Sequence, residues 1–275
     1  MTSNLLHQTR IAFIGGGNMA TALIKGLLGA GLDGKNIRVS EPDSVRAQSL
    51  QALGITLVAG NFNAVSTVQL VVIAVKPGIV SLVLDEISGN LNRDAVVISI
   101  AAGVTLNSLT RRLPEKQPVI RAMPNTPALI GEGVTILCPG PDVSPQHRAL
   151  AETLLGTVGE VKTILDESVL DAVTALSGSG PAYVYLMIEA LSDGGVACGL
   201  PRDLATQLAV QTVKGSAALV KETGQHPGVL KNQVTSPGGT TIAALQVLET
   251  AGLRGILMRA VEAAWRRSQE LSRKN

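Results

Sequence analysis

Arg10-Ile-Ala-Phe-Ile-Gly-Gly-Gly-Asn-Met-Ala-Thr-Ala-Leu-Ile-Lys-Gly-Leu-Leu28 reads, in order, as a buried strand, a tight turn and a helix. Residues 11–14 form an apolar run suited to a central strand, while Leu23, Ile24, Leu27 and Leu28 recur at helical spacing. Between them Gly15-x-Gly17-x-x-Ala20 fits the dinucleotide fingerprint in its form with alanine at the third position. Each small residue answers a steric need: Gly15 permits the sharp turn, Gly17 lets backbone N–H groups approach a pyrophosphate, and Ala20 lets the helix pack closely on the strand. The helix start then turns the positive end of its dipole toward the phosphates. A glycine triplet alone would be no more than a turn. In a strand–turn–helix context it points to a nicotinamide or flavin dinucleotide.

Further strands follow at intervals that leave room for helices between them. Residues 36–40 form the second strand, and Glu41-Pro-Asp-Ser44 ends it and caps a helix over 45–53. Glu41 therefore stands at the tip of the second strand, where an acidic side chain hydrogen-bonds the adenosine ribose and repels a 2′-phosphate; an ordinary solvated loop carboxylate is the other reading. Residues 56–58 make a third strand, followed by a turn at Gly60-Asn61. The continuous apolar run 70–75 fits a fully buried parallel strand. It stops at Lys76-Pro77, on the same sheet edge as the Gly15 turn, where open α/β sheets bind ligands. Residues 95–100 are the next buried strand, closed by Ala101-Ala102-Gly103, whose missing side chains admit a flat ring. Residues 118–127 begin as a strand and end in a loop stiffened by Pro124 and Pro127, which presents Asn125 and Thr126. Residues 133–137 and 159–164 read as strands with a helix over 145–155 between them.

From Ser168 onward no strand pattern is found, only helices separated by Gly and Pro punctuation. The expected architecture is α/β: a doubly wound parallel sheet over 1–166 and an all-helical domain over 167–275. Within the second domain one helix is expected to break at Ser177-Gly-Ser-Gly180. Another, opened by Pro201, should turn Ala205, Leu208, Ala209, Thr212 and Ser216 inward. His226 lies in a His-Pro-Gly turn and reads as a surface residue, and an Arg/Lys tail ends the chain.

Aromatic residues are 2% of the 275, so the core must be built from Ala, Val, Leu and Ile, which favours close packing of helices and strands. A formal charge of +2, with basic residues scattered, argues against a nucleic-acid or membrane surface and leaves a small-molecule ligand. Cys138 and Cys198 lie far apart and in no metal-ligand spacing, so no metal site is expected and a reducing compartment is. The first ten residues lack an apolar signal core, and no apolar run reaches the length of a membrane span. A cytoplasmic protein is the expectation.

A second polar cluster stands late in the chain. Thr235-Ser-Pro-Gly-Gly-Thr-Thr241 puts hydroxyls and backbone N–H groups at the start of a helix over 242–248, which can hold a carboxylate with no charged residue. A plain capped helix would use the same residue types.

Five segments together resemble the motif series of the pyrroline-5-carboxylate reductases, in order and spacing: Phe13-Ile-Gly-Gly-Gly-Asn-Met-Ala20, Ala74-Val-Lys-Pro77, Met123-Pro-Asn-Thr-Pro127, Ser177-Gly-Ser-Gly-Pro-Ala-Tyr183 and Val234-Thr-Ser-Pro-Gly-Gly-Thr-Thr241. The resemblance covers nearly the whole chain. It implies reduction of 1-pyrroline-5-carboxylate to L-proline with NADPH or NADH, the last step of proline biosynthesis. It also implies an N-terminal Rossmann domain and a helical C-terminal domain that interlocks with a partner chain, a homodimer often assembled into a decamer.

Carried over by position, the resemblance assigns Ile14, Gly15, Gly16, Gly17, Asn18 and Met19 to the pyrophosphate. Ala74, Val75, Lys76, Pro77, Ile100, Ala101 and Ala102 would line the ribose and nicotinamide, and Asn61 would lie beside the adenosine ribose or its phosphate. Ser236, Gly239, Thr240 and Thr241 would hold the substrate carboxylate, with the Thr241 hydroxyl or a water at the ring nitrogen. Glu41 departs from the small polar residue common at that tip in NADPH-preferring members, which puts strong NADP preference in doubt unless Arg46 compensates. A β-hydroxyacid dehydrogenase or general imine reductase of similar build would need an acid lysine on the helix after a Ser/Gly turn, and 177–189 contain none. A non-enzymatic dinucleotide sensor would have no use for the cluster at 236–241.

Overall fold

The structure, a computed structural model, describes Leu6 and residues 8–274. Residues 1–5 and 7 of the leading segment, Asn275 and the side chain of Lys274 in the basic tail lie outside the described residues. The apolar runs form the strands expected of them: β1 (Ile11–Ile14), β2 (Ile37–Ser40), β3 (Thr56–Leu57), β4 (Leu70–Ile73), β5 (Val96–Ser99), β6 (Val119–Met123), β7 (Gly133–Pro139) and β8 (Gly159–Thr163). They make one sheet in the order β3-β2-β1-β4-β5-β6-β7-β8. Strand β1 lies between β2 and β4, with Ile14 level with Ser40 on one side and Ile73 on the other. Three strand tips therefore end at one height, beside the glycine turn.

Helices α1 (Asn18–Gly29), α2 (Ser44–Gln51), α3 (Asn61–Ala64), α4 (Pro77–Ile87), α5 (Leu106–Thr110) and α6 (Pro145–Gly156) lie between the strands. Alternation along β1 supplies both faces of the sheet. Ile11 and Phe13 join Leu23, Ile24 and Leu27 of α1 in one core, and Ala12 and Ile14 join Val80, Val83 and Leu84 of α4 in the other. Such two-sided burial is why these strands read as unbroken apolar runs.

One expectation for the sheet is corrected. Strand β7 runs antiparallel to β6, and β8 follows β7 in parallel, so the last two strands oppose the other six. A parallel return needs a crossover of about a dozen residues or more. Residues 124–132 are fewer, and they are taken up by the short 3-10 helix Thr126–Ile130 and a left-handed Gly131 at φ 78°.

Arg121 on β6 is the charged residue buried in this sheet, and its guanidinium pairs with Glu167 at 2.8 Å. Glu167 also accepts from the Leu106 N–H at 2.7 Å, which fastens the chain just past β8 to the sheet. Farther on, Asp171 accepts from Ser268 at 2.7 Å and Ser272 at 3.0 Å. The strands end at Thr163, before Asp166, but these ties extend the first compact unit through Ser179 and bring the residues from Ala264 onward into it.

The expected helix break at Ser177-Gly-Ser-Gly180 is replaced by a change of winding. Helix α7 (Leu170–Val173) continues into a π turn, Thr174–Gly178, closed by Ser179 N–H to Thr174 C=O at 2.8 Å. Helix α8 (Gly180–Ala197) then opens the second unit.

In that unit α8 packs along α9 (Arg202–Thr223), with the Ser192 and Thr206 hydroxyls 2.8 Å apart between them. Helices α10 (Pro227–Gln233), α11 (Thr240–Thr250) and α12 (Leu253–Lys274) follow, and α12 ends in the first unit. Ala205 and Ala209 are buried as expected. Leu208, Thr212 and Ser216, also expected to face inward, are exposed in the single chain, where among the described residues α9 packs chiefly on α8. Large apolar side chains of this unit stand in the open, among them Leu186 at 66%, Val247 at 68% and Met258 at 72% exposure, a surface of the kind that marks association. Among the described residues no single helix is long and apolar enough to cross a membrane. No group of His, Cys, Asp or Glu among them could hold a metal ion.

Candidate active site

The turn after β1 is held by its neighbours. Gly15 has φ 94°, donates its N–H to Ser40 C=O at 2.9 Å, and lies so close to β4 that a Cβ there would sit 2.6 Å from the Ala74 carbonyl oxygen. Only glycine satisfies both the dihedral and the contact. Two residues on, the environment reverses. Gly17 is the N-cap of α1 with φ −67° and ψ −177°, and nothing lies within 4 Å of where its Cβ would be. No side chain caps α1 and no acidic residue stands in its first turn, so the opening N–H groups of Asn18, Met19 and Ala20 are left for a ligand. A cradle with open space at Gly17 and unclaimed donors behind it fits a pyrophosphate.

Glu41 follows β2 directly and turns back on the glycine turn. One carboxylate oxygen accepts from Gly16 N–H at 2.6 Å, the other from Asp43 N–H at 2.9 Å. Asp43 in turn caps α2 by accepting from Arg46 N–H at 3.0 Å. Beside this corner opens a cavity of about 300 Å³ lined by Gly16, Asn18, Thr21, Lys25 and Arg46.

The other expected residues occupy the neighbouring strand tips. Ala74 and Val75 are half-buried beyond β4, and exposed Lys76 and Pro77 begin α4, with Lys76 as an extended N-cap. Past β5, Ala101 is buried between half-buried Ile100 and Ala102. Ala74, Ala101 and Ala102 offer short side chains there, as a flat ring requires. Asn61 opens α3, and its side-chain amide donates to Glu86 at 2.8 Å, so that donor is engaged within the chain.

Asn125 has an internal role that residue type alone did not reveal. Its amide nitrogen donates to Ser177 C=O at 3.1 Å, and its oxygen accepts from Val134 N–H at 2.9 Å. One amide thus ties the π turn to β7. Helical periodicity gives no signal for such a clasp; the rigid Pro-Asn-Thr-Pro loop was the only cue.

In the second unit, Gly239 is the N-cap of α11 with φ −79° and ψ 175°, preceded by left-handed Gly238 at φ 67°. A Cβ on Gly239 would collide with Ser236 Oγ. Again no side chain caps the helix and no acidic residue stands in its first turn. Thr235 spends its hydroxyl on Lys231 C=O at 2.6 Å. Among the described residues, the hydroxyls of Ser236, Thr240 and Thr241 make no hydrogen bond within the chain, so they are left for a ligand beside the free helix start. His226 is exposed and accepts from Gly228 N–H through Nδ1 at 3.0 Å, which makes it a turn cap.

Comparison with known proteins bears on both units. Residues 10–103 match the family model "NADP oxidoreductase coenzyme F420-dependent", and residues 167–271 match "Pyrroline-5-carboxylate reductase dimerisation". The chain is 46% identical over 267 residues to a pyrroline-5-carboxylate reductase of Synechocystis, covering 96% of this chain and 99% of that protein. The solved structure of a pyrroline-5-carboxylate reductase from Coxiella burnetii superposes with TM-score 0.91 at 37% identity, covering 96% of this chain and 98% of the other. The crystal structure of the Plasmodium falciparum pyrroline carboxylate reductase, with NADP bound, gives TM-score 0.87 at 33% identity over 97% and 99% of the two chains.

Proposed function

Since the chain belongs to the pyrroline-5-carboxylate reductase family, we propose that its two uncapped helix starts divide the work of one reaction, α1 holding a dinucleotide and α11 the substrate. The reaction is the reduction of 1-pyrroline-5-carboxylate to L-proline with NADPH or NADH, in proline biosynthesis. The bound dinucleotide supplies the hydride.

The chain's own residues bind and orient. Backbone N–H groups from Gly17 to Met19 hold the pyrophosphate, and Ile14, Gly15 and Gly16 shape the turn beneath it. The small side chains of Ala74, Ala101 and Ala102, with Val75, Lys76, Pro77 and Ile100 beside them, border the ribose and nicotinamide. Glu41 and Asn61 attend the adenosine end. The substrate carboxylate takes the N–H groups of Thr240 and Thr241 with the Ser236 hydroxyl, while the Gly238-Gly239 backbone leaves it room.

The ring nitrogen lies within reach of the Thr241 hydroxyl. A protonated imine carries its own positive charge, so hydride addition at carbon leaves a neutral amine and no side chain has to deliver a proton. This suits a cluster without a titrating side chain. Fixing both ligands makes the step effectively unimolecular.

The observation that carries this assignment is the start of α11, where free N–H groups and unpartnered hydroxyls stand with no charged residue in the first turn. The test is loss of nicotinamide absorbance when purified protein meets pyrroline-5-carboxylate, with NADPH and NADH in separate assays. Oxidation is expected. A protein that binds dinucleotide and reduces only other imines or hydroxyacids would refute the substrate assignment.

The division of labour follows residues 1–166 and 167–275, a reading supported by the dimerisation model starting at residue 167. The exposed apolar faces of the second unit serve homodimer formation, and we extend this to dimers gathered into a decamer. A cytoplasmic location is part of the same reading, supported by two free cysteines in a chain that uses no disulfide.

A further inference from the structure

We infer that Glu41 selects the unphosphorylated cofactor, so that this chain binds NADH in preference to NADPH. The inference rests on reading the Gly15 turn as the dinucleotide turn, and goes beyond it by assigning the discrimination to one carboxylate.

The position follows from the strand register. Ile14 and Ser40 are level, so the residue after Ser40 stands beside the glycine turn, where the adenosine ribose lies in a fold of this type. The geometry removes the usual escape. A solvated glutamate could swing away from an incoming phosphate, but here Gly16 N–H holds one oxygen at 2.6 Å and Asp43 N–H holds the other at 2.9 Å. Swinging out would abandon both bonds and leave Gly16 N–H, on a buried residue, without an acceptor.

The charge is also whole, because no cation among the described residues forms a salt bridge with Glu41. An ionised carboxylate can only accept hydrogen bonds. Its remaining lone pairs suit the two hydroxyls of an unphosphorylated ribose. A 2′-phosphate would bring acceptors and negative charge to the same place. Arg46 and Lys25 line the adjoining cavity, but both are exposed and their charge is shared with water. The fixed anion therefore outweighs the two solvated cations.

The experiment measures equilibrium binding by the fluorescence of bound NADH and NADPH, alongside kcat/KM for each with pyrroline-5-carboxylate. Wild type, Glu41→Gln and Glu41→Ser are compared, with melting curves to show that each is folded. Wild type should bind NADH at least about tenfold more tightly than NADPH, as two anions in near contact require. Glu41→Gln keeps the shape without the charge, and should bring the ratio close to one by tightening NADPH. Glu41→Ser should bring it down further by also weakening NADH. Wild type that binds NADPH as well as or better than NADH overturns the inference, as does an unchanged ratio in folded variants. If ratio and variants disagree with it while either cofactor still supports turnover, the reductase reading stands and only the Glu41 assignment falls. If neither dinucleotide binds, both fall together.

Discussion

Gly15 and Gly17 are two residues apart in one turn, yet substituting them should break different things. In Gly15→Ala the new Cβ lies 2.6 Å from the Ala74 carbonyl oxygen and 2.9 Å from Val75 Cγ1, with the backbone held at φ 94°. The dihedral costs about 1–2 kcal/mol for a residue with a Cβ, and overlap with a packed backbone adds about 1–3 kcal/mol. A loss of roughly 2–5 kcal/mol in a unit of this size lowers the melting temperature by about 5–15 °C. In Gly17→Val the side chain enters open space at φ −67°, which valine adopts without strain. The stability cost is that of a poorer N-cap, about 1 kcal/mol or less.

The valine side chain introduced by Gly17→Val instead fills the space in front of the first N–H groups of α1. Excluding the pyrophosphate should weaken dinucleotide binding by at least about a hundredfold, near 2.8 kcal/mol. Scanning calorimetry and fluorescence titration of both variants separate the two effects. A Gly17→Val protein that melts as early as Gly15→Ala, or that binds dinucleotide like wild type, would falsify the division of roles within the turn.

Thr241→Ala should lower kcat/KM for pyrroline-5-carboxylate by about tenfold, the value of one hydrogen bond made at the reacting ring, with cofactor Kd unchanged; equal loss in both would remove Thr241 from the substrate side. Glu167→Ala leaves Arg121 buried without its partner and should cost about 3 kcal/mol, at the low end for a buried pair because the Glu167 side chain is still 28% exposed; denaturant midpoints measure it, and a loss near zero would mean that water replaces the pair. Asn125→Asp keeps the acceptor for Val134 N–H but sets an anion against Ser177 C=O, so amide exchange should quicken through residues 174–179 and stay slow in β1 and β4; uniform protection would show that the clasp is dispensable. Burial pushes the Cys138 thiol pKa up, so above the ordinary thiol range near pH 8.5 the unfolded chain gives up this proton first and stability falls with rising pH; urea midpoints of Cys138→Ala should show a shallower alkaline decline than wild type, and parallel curves would refute it.

What could be read from the sequence follows from how local each determinant is. Strands β1, β4 and β5 announce themselves because both of their faces are buried, and the glycine turn does so because its steric needs lie within six residues. The direction of β7 is not written in its own residues. It depends on residues 124–132 being too few for a crossover, so it is visible only once β6 has been placed. The π turn is harder still, since Ser177-Gly-Ser-Gly180 reads as a breaker until Asn125 supplies a partner for the Ser177 carbonyl. On α9 the periodicity identifies apolar and small residues correctly, but Leu208, Thr212 and Ser216 show that it cannot say what covers them.

The capping pattern bears on the proposed ligand positions. Three helices satisfy their own first turns: Asp43 caps α2, Thr105 caps α5, and Ser144 with His147 closes a capping box on α6. Helices α1 and α11 instead begin on glycines in extended conformation, with no capping side chain and no acid in the first turn. Helix α9 also lacks a side-chain cap, but Asp203 in its first turn supplies the negative charge itself and would repel an anion. Helices α3 and α4 are likewise uncapped and without a first-turn acid, on Gly60 at φ 83° and on Lys76, so among the described residues it is the glycine in extended conformation that sets α1 and α11 apart. Glu41 fits the same logic: it satisfies Gly16 N–H and leaves the first N–H groups of α1 open. On the proposed reading, the chain binds anionic ligands at two helix starts by withholding its own carboxylates there, and separates NADH from NADPH by placing one carboxylate just outside.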